Sequence, residues 1–157
     1  MDAISSRHKK SASGARRSDV LKRIKRSGVV ALASESPLKR IEMVRTGLPA
    51  LVLEETAAAL GISKSALMKA AGIPVSTAGA QQRSGKPLSP EDSEKILRIL
   101  RVARRAEEVF GDQDRGRAWL TSDVHALGRR PLDLLDTQDG YELVIDELGR
   151  IVFGAPA

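Results

Sequence analysis

The stretch FGDQDRGRAWLTSDVHALGRRPLDLLDTQDGYELVIDELGRIVFG, residues 110–154, holds every aromatic side chain of this 157-residue sequence. They are Phe110, Trp119, Tyr141 and Phe153. Aromatic side chains bury large areas and anchor both cores and interfaces, so their confinement to one end predicts a separate C-terminal module. Residues 1–109 lack a ring and are expected to perform a different task.

Charge is divided between the two ends in the same way. Residues 1–50 contain 12 Lys and Arg against 4 Asp and Glu, whereas residues 111–157 contain 5 against 9. The ends therefore carry net charges of +8 and −4 on a chain whose total is +6. A cationic surface gains free energy by releasing the counterions of nucleic acid, and an anionic one is repelled by it. We expect the N-terminal end to meet DNA and the C-terminal end to meet a protein.

Composition argues against an enzyme. The absence of cysteine excludes disulfides, thiol catalysis and cysteine-ligated zinc. The two histidines lie far apart in the sequence, and Asp123 with His125 supplies neither a nucleophile nor three metal ligands. We therefore expect no catalysis, no cofactor and no metal.

The apolar runs of the sequence are too short to predict a membrane span or any association with a membrane. The longest apolar run near the N-terminus covers residues 29–33. A membrane span needs roughly 20 apolar residues and a signal peptide core at least about 7. The expected location is the cytoplasm.

Capping residues and glycines divide the sequence into short helices. A side chain that can accept a hydrogen bond from the first helical turn precedes five of them, namely Ser36, Ser63, Ser89, Asp112 and Thr137. Glycines suited to helix ends follow at positions 47, 61, 72, 111 and 149. The only possible extended segment is the tail of residues 151–153, so the predicted fold class is all-α.

Apolar spacing predicts which sides of these helices are buried. Leu38, Ile41 and Val44 share one side of the helix that begins at Pro37, and this side is expected to face the core. The long helix after Ser89 has its apolar stripe at Ile96, Ile99, Leu100, Ala103 and Phe110. Residues 1 to about 18 show no periodic spacing of apolar residues, which predicts a basic, mobile arm. A short amphipathic helix is expected to follow this arm.

A helix-turn-helix needs a supporting helix, a tight turn in which glycine accepts a positive φ, and a second helix with polar outward side chains. Two turns satisfy this, residues 61–63 and residues 72–74. The second is favoured because its following helix offers Ser76, Thr77, Gln81, Gln82 and Arg83 to base edges and phosphates. The first offers mainly Lys64, Ser65 and Lys69, and both turns stay open on sequence alone.

Two parts of the chain resemble known families. Residues 72–77, Gly-Ile-Pro-Val-Ser-Thr, with Arg83, Gly85 and Lys86, are similar to the Gly-Val-Ser-x-Ser-Thr and Arg-Gly-Lys pattern of Cro/Xre repressors. Residues 98–102, Arg-Ile-Leu-Arg-Val, followed by Ala-Glu-Glu-Val-Phe-Gly at 106–111, resemble the lead-in to the C-terminal domain of the Xre/MbcA/ParS toxin-binding antitoxins. The second match covers roughly residues 87–154.

With these resemblances the predicted architecture is a Cro/Xre-like helix-turn-helix bundle followed by a small helical toxin-binding domain. Its expected divisions are a basic flexible arm over residues 1–35, a DNA-binding domain with a long connecting helix over 36–110, and a toxin-binding domain with a C-terminal tail over 111–157. By analogy with the repressors, Thr77, Gln81 and Gln82 would face bases, while Ser76, Arg83 and Lys86 would hold phosphates.

The antitoxin resemblance also implies a partner. It is a RES-type toxin, which degrades NAD and whose active site the antitoxin covers. The candidate contacts are Trp119, Arg130, Gly149, Arg150, Ile151, Val152, Phe153 and Gly154. The implied function is the antitoxin of a type II toxin–antitoxin module, which also represses its own operon as a homodimer on operator DNA. The alternative is a stand-alone Xre-type repressor whose C-terminal domain dimerises or senses a ligand.

Overall fold

A computed structural model describes the backbone of residues 3–154, and the side chains of all of these except residues 3–11, 77, 78 and 82. This part of the chain is helical, with one isolated antiparallel bridge between Val124 and Arg129 and no strand. The α-helices are α1 (Ala3–Ser27), α2 (Pro37–Thr46), α3 (Leu51–Leu60), α4 (Lys64–Ala71), α5 (Val75–Ser84), α6 (Pro90–Phe110), α7 (Gln113–Thr121) and α8 (Gln138–Phe153). Three 3-10 helices cover Val29–Ser34, His125–Leu127 and Pro131–Leu134. The predicted all-α class is confirmed.

The helix starts follow the predicted capping residues. Each of the five caps accepts a hydrogen bond from the backbone N–H three residues later, as expected for Ser36, Ser63, Ser89, Asp112 and Thr137. Four predicted glycine stops, at positions 47, 61, 72 and 111, also follow helix ends. Local capping chemistry therefore defines most of the helix boundaries.

Helix α6 is the centre of the molecule. It contacts α2, α3, α4, α7, α8 and the 3-10 helix Val29–Ser34. Its predicted stripe is buried at Ile96, Ile99 and Leu100, which have no exposed surface. Helix α7 packs so closely on the end of α6 that a Cβ at Gly116 would lie 2.8 Å from the backbone nitrogen of Glu107. Both halves of the sequence thus share one core around α6.

The join between α2 and α6 fixes how α2 is rotated. A Cβ at Gly47 would collide with the backbone oxygen of Leu88. The Leu48 N–H donates to the buried Ser93 hydroxyl at 2.9 Å, and the Leu88 N–H donates to the Leu48 carbonyl at 2.8 Å. These long-range bonds hold the C-terminal end of α2 against the start of α6.

This rotation makes the predicted buried side of α2 wrong. Leu38 is 77% exposed and Ile41 is also exposed, whereas Met43 is buried and Val44 is partly buried. Helix α2 has apolar residues on two sides, and the hydrogen bonds at Leu48 select the side of Met43. Periodicity within ten residues did not distinguish the two sides.

The basic N-terminal segment differs from the arm that the sequence predicted. Residues 3–27 form one helix, in which Val20 and Ile24 are buried against the common core. Arg23 on the same helix forms an ion pair with Glu35, with its Nε 3.3 Å from Oε1. The short amphipathic helix predicted after the arm is therefore present, and the difference from the prediction is that this helix extends back to Ala3.

The predicted extended tail is wrong, because α8 continues through Gly149 to Phe153. Gly154, at φ 63°, ends the helix and donates its N–H to the carbonyls of Arg150 and Ile151. Glycine weakens a helix interior by about 1 kcal/mol without breaking it. The buried residues Val144 and Leu148 just before Gly149 hold the helix in place.

None of the helices in the described range is long and apolar enough to cross a membrane.

Candidate DNA-binding helix and partner-binding surface

Helices α4 and α5 form a compact pair joined by residues 72–74. Gly72 has a φ of 64°, the left-handed conformation that glycine adopts without steric cost. Ile73, within this turn, is buried at the core. The turn is therefore both sharp and anchored, as a helix-turn-helix requires.

Helix α4 is the packed member of the pair. Leu67, Met68, Ala70 and Ala71 are buried along it. Lys64, at its start, forms an ion pair with Glu54 of α3, with Nζ 3.5 Å from Oε1. Its exposed polar side chains are Ser65 and Lys69.

Helix α5 is the exposed member of the pair. No residue of α5 whose side chain is described is buried, and Val75 is 61% exposed. Ser76 and Arg83 on the helix, and Lys86 just after it, are exposed. The predicted base contacts Thr77 and Gln82 lie on α5, but their side chains are outside the described residues.

Gln81 occupies a different environment from its neighbours. Its side chain is half-buried, and its Oε1 is buried without a hydrogen-bond partner among the residues that the structure describes. A buried carbonyl oxygen is not offered to a base edge in this conformation. Sequence alone did not separate Gln81 from the exposed polar residues of the same helix.

The end of α5 is stabilised by its own hydrogen bonds. The Gln81 carbonyl accepts from the Ser84 hydroxyl at 3.0 Å and from the Lys86 N–H at 3.1 Å. Arg83 and Lys86, the two cations predicted to hold phosphates, lie at this end of α5, three residues apart in the sequence and both exposed.

The last turn of α8 presents an apolar surface. Ile151, Val152 and Phe153 are all exposed, and Phe153 is 85% exposed. We call these three residues the α8 tip. Solvent-exposed apolar residues that are contiguous in this way are typical of interaction sites.

Arg150 lies beside the α8 tip and pairs within its own helix. Its Nη1 is 2.9 Å from Oε2 of Glu147, which is buried, while Arg150 itself is exposed. A Cβ at Gly149 would meet no described atom of residues 12–154 within 4 Å, so that part of the structure leaves the backbone there open to approach. The structure therefore groups Gly149, Arg150 and the α8 tip, all predicted as partner contacts, on one helix end.

The two other predicted contacts lie elsewhere in the C-terminal third. Trp119 on α7 is half-buried, with its ring centroid 5.9 Å from that of Phe110. Arg130 is exposed and makes two hydrogen bonds of 2.8 Å to the carboxylate of Asp133. Those hydrogen bonds, with the charge of Asp133, raise the pKa of the Arg130 guanidinium above its usual value.

Leu143 is an exposed apolar residue of α8 that was not predicted as a contact. A signal for it was present, because residues 143–145 are Leu, Val and Ile in succession. Three consecutive residues of a helix spread over about 200°, which one buried face does not cover. At least one of them had to leave the core.

Comparisons with known proteins identify both halves of the chain. Residues 39–101 match the antitoxin Xre-like helix-turn-helix domain, and residues 105–154 match the antitoxin Xre/MbcA/ParS C-terminal toxin-binding domain. The first match contains both candidate turns and does not choose between them. The boundary between the two matches falls inside α6.

Relatives of similar length carry antitoxin names. A Sphingobium sp. (strain YBL2) protein named Prs ADP-ribosylating antitoxin is 32% identical over 135 residues, which are 80% of this chain and 85% of that protein. Antitoxin Xre of Yersinia enterocolitica is 31% identical over 117 residues, 73% of this chain and 78% of its own. Antitoxin Xre of Photorhabdus laumondii is 26% identical over 114 residues, 71% and 77% of the two chains.

With both of its domains matched and its relatives aligned over most of their length, the chain belongs to the Xre/MbcA/ParS family of antitoxins, with an N-terminal helix-turn-helix domain and a C-terminal toxin-binding domain.

Proposed function

We propose that this antitoxin neutralises a RES-type, NAD-degrading toxin by covering the toxin's active site, and that it represses its own operon through α5. The observation that carries the first part is the α8 tip, where Phe153 is 85% exposed within the matched toxin-binding domain. Fully burying one large apolar side chain contributes roughly 1.5–3 kcal/mol. A partner that encloses the tip would gain most from Phe153 and less from Ile151 and Val152, which are 38% and 49% exposed.

Arg150 adds charge to this apolar end. Its guanidinium can form paired hydrogen bonds with a carboxylate of the toxin. In the free antitoxin it is paired with Glu147, so toxin binding would exchange one carboxylate partner for another. We therefore propose that the α8 tip supplies most of the binding free energy and that Arg150 fixes the orientation of the antitoxin on the toxin.

The chemistry of the toxin is inferred from the family resemblance and one relative. The Sphingobium relative is named Prs ADP-ribosylating antitoxin. ADP-ribosylation takes its ADP-ribose from NAD, so this name agrees with a partner that consumes NAD. Measurement of cellular NAD after release of the toxin, with and without this antitoxin, tests the assignment.

The neutralisation proposal is tested by changing Phe153 to Ala in the full chain. Loss of a central apolar anchor typically costs 2 kcal/mol or more, about 30-fold in toxin affinity. Deletion of residues 150–157 should abolish neutralisation while operator binding persists. The matched control is Leu38→Ala, because Leu38 is 77% exposed but lies in the other domain. Retained neutralisation by the deleted chain would reject the α8 tip as the toxin contact.

The repression proposal assigns DNA recognition to α5. Support comes from the exposure of Ser76, Arg83 and Lys86, in contrast to the packed helix α4. Arg83→Ala with Lys86→Ala should weaken operator binding and reduce the salt slope by about 1.8, since each phosphate contact contributes about 0.9. Lys69→Ala is the comparison for α4. If Lys69→Ala had the larger effect, α4 and not α5 would be the recognition helix.

Dimerisation is part of the same proposal. One short helix supplies little affinity, and helix-turn-helix repressors pair half-sites about one helical turn of DNA apart. We expect two chains on each operator. Sedimentation of the complex with a fragment upstream of its own coding sequence measures this stoichiometry directly.

A further inference from the structure

Helix α1 carries far more positive charge than its packing requires. Over Ala3–Ser27 the sequence has nine Lys and Arg and a single acid, Asp19. Among residues 12–27, only Val20 and Ile24 are buried. Packing against the core therefore accounts for the two apolar residues of α1 but not for its positive charge.

Three of these cations form what we call the basic ridge: Lys22, Lys25 and Arg26. All three are exposed, and a rotation of 100° per residue places them opposite Val20 and Ile24. None of them forms an ion pair with any residue that the structure describes, whereas the neighbouring Arg23 is paired with Glu35. Like charges three and four residues apart destabilise a helix by a few tenths of a kcal/mol per pair. A polyanion placed along the ridge would remove this repulsion.

The spacing of the ridge suits the phosphates of duplex DNA. Residues 22–26 span about 6 Å of helix rise. Three successive phosphates of one strand cover about 7 Å of the duplex axis, at about 3.4 Å each. Flexible Lys and Arg side chains can therefore each reach a separate phosphate.

The ridge belongs to the same folded unit as the helix-turn-helix. Helix α1 contacts α2 and the 3-10 helix Val29–Ser34, and α2 lies at the start of the region that matches the Xre-like helix-turn-helix domain. Helix α1 is thus attached to the domain that carries α5. An acidic protein surface is the other polyanion that could occupy the ridge.

We propose that the basic ridge of α1 is a second DNA contact, which binds the phosphate backbone without reading sequence and adds to recognition by α5. The inference rests on the proposed DNA-binding function. It adds a site on a different helix, and that site can fail while α5 remains the recognition helix. Because backbone contacts carry no sequence information, the ridge should contribute equally to operator and unrelated DNA.

The test replaces Lys22, Lys25 and Arg26 together by Gln in the full chain. Binding is measured by fluorescence anisotropy between about 50 and 200 mM salt, on the fragment upstream of its own coding sequence and on an unrelated duplex of equal length. Loss of three phosphate contacts should reduce the salt slope by about 2.7 on both duplexes. Over this range, the unchanged chain should then lose about 40-fold more affinity than the variant.

Two controls separate local contacts from total charge. Replacing the exposed Arg115, Arg117 and Arg129 of the C-terminal third by Gln removes the same charge and should leave the slope unchanged. The charge-preserving variant Lys22→Arg, Lys25→Arg, Arg26→Lys should also keep the slope. An unchanged thermal midpoint in the Gln variant shows that α1 is still folded onto the core.

The possible outcomes are distinguishable. If the slope is unchanged in the Gln variant while Arg83→Ala with Lys86→Ala still weakens operator binding, the basic ridge is not a DNA contact. The proposed DNA-binding function of α5 is then unaffected. Loss of toxin binding by the Gln variant, at an unchanged DNA slope, assigns the ridge to an acidic protein and also overturns the inference. If the unchanged chain binds neither duplex, the proposed DNA function itself is overturned.

Discussion

Helix α5 and the last turn of α8 are both exposed, but they are supported in different ways. The residues that lead into the α8 tip include Val144 and Leu148, which have no exposed surface, and Gly140, which is pressed against Leu134. Helix α5 has no buried residue among its described side chains and contains Gly79 in its interior. The α8 tip is thus attached to a well-packed helix, while α5 depends on one turn and its end hydrogen bonds. We expect α5 to gain order on binding DNA and α8 to bind its partner already formed.

The largest expected effect is on the free energy of unfolding when the packing of α8 is disrupted. Leu148→Ala should lower the free energy of unfolding by about 3 kcal/mol, because it leaves a cavity at a fully buried position. Val75→Ala in α5 should change it by less than about 0.5 kcal/mol, because Val75 is mostly exposed. Urea unfolding of both variants measures the difference. Equal costs would mean that α5 is as firmly packed as α8.

A second effect concerns two glycines of α8. A Cβ at Gly140 would collide with the backbone oxygen of Leu134, so Gly140→Ala should cost about 2 kcal/mol through overpacking. Gly149→Ala is the matched control on the same helix, since none of the described atoms lies within 4 Å of its Cβ position. It should stabilise the chain by up to about 1 kcal/mol through helix propensity. A stabilising Gly140→Ala would show that α8 is not held close to residues 131–134.

Helix propensity gives a third, smaller test on α5. Among the described atoms, a Cβ at Gly79 would meet only Nη1 of Arg83, at 4.0 Å, which is an ordinary contact. Gly79→Ala should therefore favour the helix by about 1 kcal/mol and tighten operator binding up to about 5-fold if α5 orders on binding. The opposite change in the same helix, Ala80→Gly, should weaken binding by a similar factor. Fluorescence titration that shows no change in either variant would mean that α5 is already fully ordered.

The smallest expected effect is on the ion pair of α8. A double-mutant cycle of Glu147→Gln and Arg150→Gln should give a coupling of about 0.5 kcal/mol, because Arg150 is exposed and solvent screens the pair. Toxin affinity should fall more in Arg150→Gln than in Glu147→Gln, since only the first removes a group assigned to the toxin. The reverse order would assign the contact to Glu147.

The sequence predicted the elements that depend on local chemistry. Caps such as Ser63 and Thr137 act within one turn of the residue that carries them, so their positions could be identified without the fold. The stripe of α6 was also visible, because its helix is long enough for a period to be clear. The predicted resemblance to the Xre/MbcA/ParS antitoxins is confirmed, although the toxin-binding match covers residues 105–154 and not the predicted 87–154.

What the sequence did not predict depends on distant contacts. The rotation of α2, which leaves Leu38 exposed, is set by hydrogen bonds of Leu48 to residues far along the chain. The helical form of residues 150–153 depends on packing of the preceding turns and on a cap at Gly154. Gln81 is half-buried, which its place among the polar residues of α5 did not indicate. Residue patterns within one helix do not contain this information.

Helix α6 begins in one matched domain and ends in the other, and Leu100 and Ala106 are buried on either side of the gap between the two matches. Hybrid antitoxins that join the first half of one relative to the second half of another must therefore keep the helical register of α6 across the junction. Each inserted residue turns one half by about 100° against the other and shifts it by about 1.5 Å. Exchange of partner specificity between operons is then a question of helical register as much as of surface residues.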